Sequence, residues 1–235
     1  VIAKLFDGRW LMLAMKILEE PQSLPRWTQS PGEELANGIS HGIGFVGAMV
    51  GTPILLLTAS RCGNIPFFFG TIIFSATMLL VYLTSTLYHG WPQTHTKSVL
   101  QVLDHSAIFL LIAGTYTPFA LGPLRDGGGL AMLGVVWAFA LFGVIMKATR
   151  GVLRHRRLAM TLYLGTGWIG LTLIRPLALA IPLPALICLI AGGIAYTVGT
   201  LFFANERQHY AHFIWHLFVL AGTSCHFAAV FICAM

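Results

Sequence analysis

The sequence predicts an all-α integral membrane protein, a bundle of seven transmembrane helices with its N-terminus cytoplasmic and its C-terminus outside. Three observations carry this expectation. Of 235 residues, 57% are hydrophobic and 9% charged, with a mean hydropathy of +0.79, which leaves too few polar groups to coat a soluble globule of this size. Apolar runs of about 20 residues, the length that crosses a bilayer, recur seven times along the chain. The basic residues fall unevenly on the segments between those runs.

Residues 1–33 read as a cytoplasmic N-terminal segment. Within it, Trp10-Leu-Met-Leu-Ala-Met15 is a short apolar run cut off by Lys16, Glu19 and Glu20, with no small-residue cleavage site after it. Such a run suits an interfacial amphipathic helix better than a signal peptide. Residues 34–235 read as the transmembrane domain, with spans near 38 to 59, 65 to 89, 102 to 123, 129 to 147, 158 to 180, 183 to 204 and 211 to 234.

The breaks between spans carry turn chemistry: Arg61-Cys-Gly-Asn64, Gly90-Trp-Pro92, Arg125-Asp-Gly-Gly-Gly129, the basic run Lys147 to Arg157, Pro182 with Pro184, and Asn205-Glu-Arg207. Arg175-Pro176 is placed to kink the fifth span near its end. Glycines at small-residue spacing, Gly38, Gly42 and Gly47 in the first span and Gly165, Gly167 and Gly170 in the fifth, suit close helix packing.

Placing the N-terminus inside puts Lys4, Arg9, Lys16, Arg26, Lys97, Lys147, Arg150, Arg154, Arg156, Arg157 and Arg207 on the cytoplasmic side, and only Arg61, Arg125 and Arg175 outside. This asymmetry sets the orientation. The net charge of +6 is then a topology determinant, with some attraction for anionic lipid in the run Lys147 to Arg157, and nucleic acid is not an expected partner. Cys62, Cys188, Cys225 and Cys233 form no CxxC pair and read as small core residues.

Orientation assigns a depth to every polar residue. The second span ends on the cytoplasmic side with Ser85-Thr-Leu-Tyr-His89, the third begins there with Asp104-His105, and the seventh begins there with His212 and His216. Ser85 with His89, and His212 with His216, are i and i+4 pairs, each on one helix face. Ionisable groups in a membrane are costly and mark functional sites by default. Three neutral imidazoles, His89, His212 and His216, make the set that a catalytic Zn2+ takes, leaving a fourth position for water.

Asp104 is placed to take or orient that water's proton, or to cap the third helix. Ser85 is placed to hydrogen-bond the water or a ligand, or equally a backbone carbonyl within the bundle. Asn37 and His41 share a face of the first span and either line the site or tie helices together. His105 points about 100° away from Asp104, towards a surface or interhelical role. His226 lies about 15 Å farther along the helix than His216, too far to join the same ion. His95, His155 and His209 read as solvated.

Taken together, Asn37-Gly-Ile-Ser-His41-Gly-Ile-Gly, Ser85-xxx-His89, Leu103-Asp104-His105-Ser106, Gly114-Thr-Tyr-Thr-Pro118 and His212-xxx-His216 with His226 resemble the hemolysin III family. That family is the bacterial branch of the group that includes the adiponectin and progestin receptors, within a superfamily of membrane hydrolases that also holds alkaline ceramidases. The resemblance runs from about Glu33 to the end of the chain. It implies a seven-helix bundle, a zinc held by His89, His212 and His216, and Asp104 and Ser85 beside the metal-bound water. The receptors' long N-terminal domain has no counterpart in this sequence, so hormone reception is not carried over.

The expected function is a zinc-dependent hydrolase of a lipid amide or ester bond, in the bacterial inner (plasma) membrane, with a membrane lipid as substrate or ligand. A pore-forming, hemolysin-like protein and a sensor or receptor with a structural zinc are the alternatives. A retinal-type photoreceptor is excluded, since the seventh span has no lysine for a Schiff base. A Ser85-His89-Asp104 hydrolase would leave His212 and His216 unexplained.

Overall fold

Ser30-Pro-Gly-Glu33 opens the first helix with a reciprocal cap. The Ser30 hydroxyl accepts from the Glu33 amide at 3.3 Å, and the Glu33 carboxylate accepts from the Ser30 amide at 2.9 Å. In the computed structural model, which describes residues 29–149, 156–205 and 208–235, helix α1 therefore runs Pro31–Arg61. It begins about two turns before the expected onset near residue 38. Glu33 and Glu34 depress local hydropathy without stopping the helix, because carboxylates favour a helix N-terminus. The segment before Gln29, with the expected interfacial helix, lies outside the described residues.

Asn64 caps α2, Ile65–Gly90, by accepting from the Phe67 amide, and Pro66 occupies its first turn. Helix α3 runs His95–Leu121, again starting earlier than the onset expected near residue 102. A single π-turn at Arg125–Gly129, with Gly128 at φ 90°, leads into α4, Leu130–Ala148. A φ of this sign is open to glycine at little cost, which explains Gly128, while a Cβ on Gly129 would lie 2.6 Å from the Leu124 carbonyl oxygen.

The fifth span is not one helix. Helix α5, Arg156–Gly167, gives way to a 3-10 turn at Ile169–Leu173 and then to α6, Ile174–Ala180. The break precedes Arg175-Pro176 instead of falling on it. Gly167 and Gly170 weaken the helix there, and Pro176 offers no N–H to the carbonyl of Thr172. Tyr116 of α3 bridges the gap, its hydroxyl donating to the Gly167 carbonyl and accepting from the Gly170 amide. Trp168 adds a bond from its indole N–H to Thr197. Helices α7, Leu183–Ala204, and α8, Ala211–Ala234, complete the set and match the expected bounds.

Seven stretches of helix are thus long and apolar enough to cross a membrane, and no strand occurs among the described residues. Helix α2 is the central one, with 56% of its most apolar window buried against 22% for α1. It packs between α1 and α3, α7 pairs with α8, and α1 closes the ring against α8. Leu35, Ile39, Ile43, Val46 and Val50 of α1 stay exposed, an apolar surface that lipid covers. With an odd number of spans, α1 and α8 run parallel and begin at the same end of the bundle. There the Glu33 carboxylate accepts from the Tyr210 amide at 2.9 Å. Tyr210 sits at φ 59° immediately before α8.

Candidate metal centre

Two helices deliver three imidazoles to that same end. His89 stands in the last turn of α2, and His212 and His216 stand one turn apart at the start of α8. Their ring centroids are 5.1 Å (His89 to His212), 5.0 Å (His89 to His216) and 4.7 Å (His212 to His216) apart. One nitrogen from each lies within 4.8 Å of the other two. Nitrogens on a tetrahedral ion at about 2.1 Å would be roughly 3.4 Å apart, so a small rotation of the rings closes the set. His89 and His216 are buried.

Partners on the far side of two rings fix which nitrogen faces inward. His89 Nδ1 lies 2.8 Å from Glu34 Oε2, so the carboxylate accepts its proton and leaves Nε2 directed at the cluster. That Nε2 is buried with no hydrogen-bonding partner in the protein, as expected of a nitrogen kept for an ion. His216 Nδ1 lies 3.3 Å from the Asn37 carbonyl and 3.2 Å from Ser40 Oγ, again freeing Nε2. Carboxylate and carbonyl partners of this kind orient metal-binding imidazoles and raise their basicity. The donor set therefore fits a metal ion.

Glu34 is itself held. Lys97 Nζ lies 3.1 Å from Glu34 Oε1 and donates to the carbonyls of Tyr88, at 2.9 Å, and Trp91, at 3.1 Å. Lys97 is 6% exposed; the residue counted among the cytoplasmic basic residues between spans sits in the first turn of α3 and caps the C-terminal end of α2. Sequence reading missed Glu34, Lys97 and Ser40 as parts of the site. The Ser30-x-x-Glu33 capping box was the signal that would have lengthened α1 and put Glu34, Asn37 and His41 on one face at i, i+3 and i+7.

Asp104 is buried well inside α3, not at its N-terminus, so it does not cap the helix. Ser85 is fully buried, its hydroxyl bonds to no backbone carbonyl, and it lies beside the Asp104 carboxylate. Ser85, Asp104, His212 and His216 line one cavity of about 10 Å³, together with His41, His105 and the apolar side chains of Phe203 and Trp215 among others. That volume holds one water-sized group.

His41 lies flat on His216, centroids 3.6 Å apart and planes 8° from parallel. His105 faces the cavity between α3 and α7, with its ring 6.3 Å from that of Phe203, which makes its role interhelical. His226 bonds to the Leu189 carbonyl at 3.2 Å and packs against Tyr196, away from the cluster. His95 and His209 are exposed, and His155 lies outside the described residues. The four cysteines are free thiols.

Fold and site together define a class: a seven-helix membrane protein with a buried three-histidine centre, able to hold a metal ion, at one end of the bundle. Comparison with known proteins gives the family. The family model described as haemolysin-III related matches residues 29–227, and the chain belongs to the hemolysin III family. It is 40% identical over 203 residues to the hemolysin-3 homolog of Bacillus subtilis (strain 168), covering 86% of this chain and 93% of the relative. It is 39% identical over 209 residues to hemolysin-3 of Bacillus cereus, covering 89% and 95%. A more distant likeness, 27% over 206 residues, links it to the monocyte to macrophage differentiation factor of Homo sapiens, covering 84% and 83%. With seven apolar helices and these bacterial relatives, the chain is an integral protein of the plasma membrane.

Proposed function

We propose that the chain is a zinc-dependent membrane hydrolase, acting on an amide or ester bond of a lipid that reaches the histidine centre from the cytoplasmic leaflet. The carrying observation is a group of three imidazoles able to hold an ion, two of which, His212 and His216, also line a water-sized space with a buried carboxylate and a buried hydroxyl. Three protein ligands leave a tetrahedral ion one open position, the arrangement of catalytic sites. When bound, the ion polarises a carbonyl and brings the pKa of a water towards neutrality.

The chain's own residues do the rest. Asp104 accepts the proton of the attacking water and returns it to the leaving amine or alcohol. Ser85, buried beside Asp104 with no hydrogen-bonding partner in the protein, is placed to donate its hydroxyl hydrogen to the attacking water or to a ligand oxygen. Glu34 and Asn37 hold two of the imidazoles in the tautomer that presents Nε2. The apolar lining of Phe203 and Trp215 keeps bulk water from the site. A cavity of about 10 Å³ does not admit an acyl chain, so the substrate enters as these side chains swing aside.

Metal analysis of the purified protein tests the first half: zinc near one per chain, lost in His212→Ala and His216→Ala. No zinc in the parent protein would sink the reading. Mass spectrometry of a mixed membrane lipid extract incubated with metal-loaded protein tests the second half. Product should accumulate, and Asp104→Ala should slow it by about 10²- to 10⁴-fold.

The name of the Bacillus cereus relative, hemolysin-3, brings membrane lysis as a second reading. Leakage from liposomes carrying the pure protein, undiminished in His216→Ala, would favour lysis over hydrolysis.

A further inference from the structure

Four described histidines are buried: His41, His89, His216 and His226. Three of them have a ring nitrogen bonded to the protein, through Glu34, the Asn37 carbonyl and the Leu189 carbonyl respectively. His41 differs. It is 3% exposed and neither Nδ1 nor Nε2 has a hydrogen-bonding partner in the protein. A neutral imidazole carries one donor and one acceptor, and leaving both unmet in a buried place is costly. Packing alone does not explain such a residue, since a phenyl ring of similar size would stack on His216 without that cost.

The position of the ring shows what it can serve. One face lies on His216, with centroids 3.6 Å apart. Tyr82 meets it edge to face at 5.2 Å and 79°, so the ring plane is fixed from two sides. His41 also lines the same cavity as Ser85, Asp104, His212 and His216. Its nitrogens therefore sit one ring thickness from those of a metal-binding residue, at the wall of the space where a ligand's polar group must lie.

We infer that His41 is a ligand-binding residue of this centre, whose imidazole N–H donates to an oxygen of the carbonyl or carboxylate bound beside the metal. The inference rests on the metal-centre reading above and deepens it. Substrate carbonyl and product carboxylate both present that oxygen, and both are acceptors that a preorganised donor recognises. His41 holds no metal in this assignment, so its removal leaves the ion in place and weakens what binds next to it.

Cobalt(II)-substituted protein in detergent micelles provides the test, with decanoate as probe and the visible spectrum of the ion as readout. The parent should take up cobalt and show a saturable spectral change with decanoate. His41→Phe, which keeps a stacking ring, should keep the cobalt content and the ligand-free spectrum but bind decanoate about tenfold more weakly, the loss of one hydrogen bond to a charged group. His41→Gln, which restores an N–H donor, should recover part of the affinity, and it serves also if the phenylalanine variant does not fold. Equal decanoate affinity in parent and variants overturns the inference, as does loss of cobalt from both variants, which would make His41 a support for His216. A cobalt-loaded parent blind to decanoate overturns it while leaving the metal centre standing. A parent that takes up no cobalt brings down the metal centre itself, and this inference with it.

Discussion

Glu34 holds His89 by Nδ1 and is held in turn by Lys97, so the direction of one nitrogen facing the histidine cluster depends on two charges outside that cluster. Glu34→Gln keeps the shape but removes the charge, and metal affinity should fall by about 10- to 100-fold, measured by competition with a chromophoric chelator. Unchanged affinity would mean that packing alone orients His89. Lys97→Met strands a mostly buried carboxylate and should destabilise the protein by about 3 kcal/mol, while the double variant with Glu34→Gln should regain part of that loss. At this scale the sequence was informative about what it repeats and silent about what it joins. His212 and His216 announce themselves by helical spacing, and His89 and Asp104 join them by depth. Glu34 lies 55 residues from His89, and no local pattern links them; only the packing of α1 on α2 does.

Helix ends and helix contacts are legible to different degrees. The last two spans match their expected bounds because Pro182 and Tyr210 bracket uniform apolar runs. Helices α1 and α3 begin earlier than hydropathy suggests, because their first two turns carry Glu33, Glu34, Lys97 and Gln101 and lead into the histidine centre. The fifth span breaks at its glycines, where the freed backbone groups are met by Tyr116 from another helix. Tyr116→Phe should therefore cost about 1–3 kcal/mol, seen as a lower unfolding temperature in detergent.

Small-residue spacing alone also misjudges which glycines matter. A Cβ on Gly70 would lie 2.5 Å from Pro118 Cα, whereas one on Gly47 meets nothing within 4 Å. Gly70→Ala should push α2 from α3 at a cost of about 1–3 kcal/mol, and Gly47→Ala should be neutral or slightly stabilising. Equal thermal stability of the two variants would refute this packing assignment.

At the scale of the molecule, a seven-span bundle follows from composition and the count of apolar runs, but the neighbours within it do not. That α1 lies beside α8 is visible only in contacts such as Ser40 to His216, 176 residues apart, and Glu33 to the Tyr210 amide. The second of these gives α8 its N-terminal acceptor from a different helix, in place of a side chain at its own cap. Glu33→Ala should cost about 1 kcal/mol, the usual loss of an N-cap, and loosen the start of α8, with weaker metal retention during dialysis as the check. The seam between first and last helix also has a consequence in time. Helices enter the membrane in the order of synthesis, and His89 arrives with the second span while His212 and His216 arrive with the seventh. Until the ribosome has released nearly the whole chain, His89 has Glu34 and no second imidazole beside it. On the proposed metal-centre reading, occupancy in a growing cell would count only those copies whose insertion ran to completion.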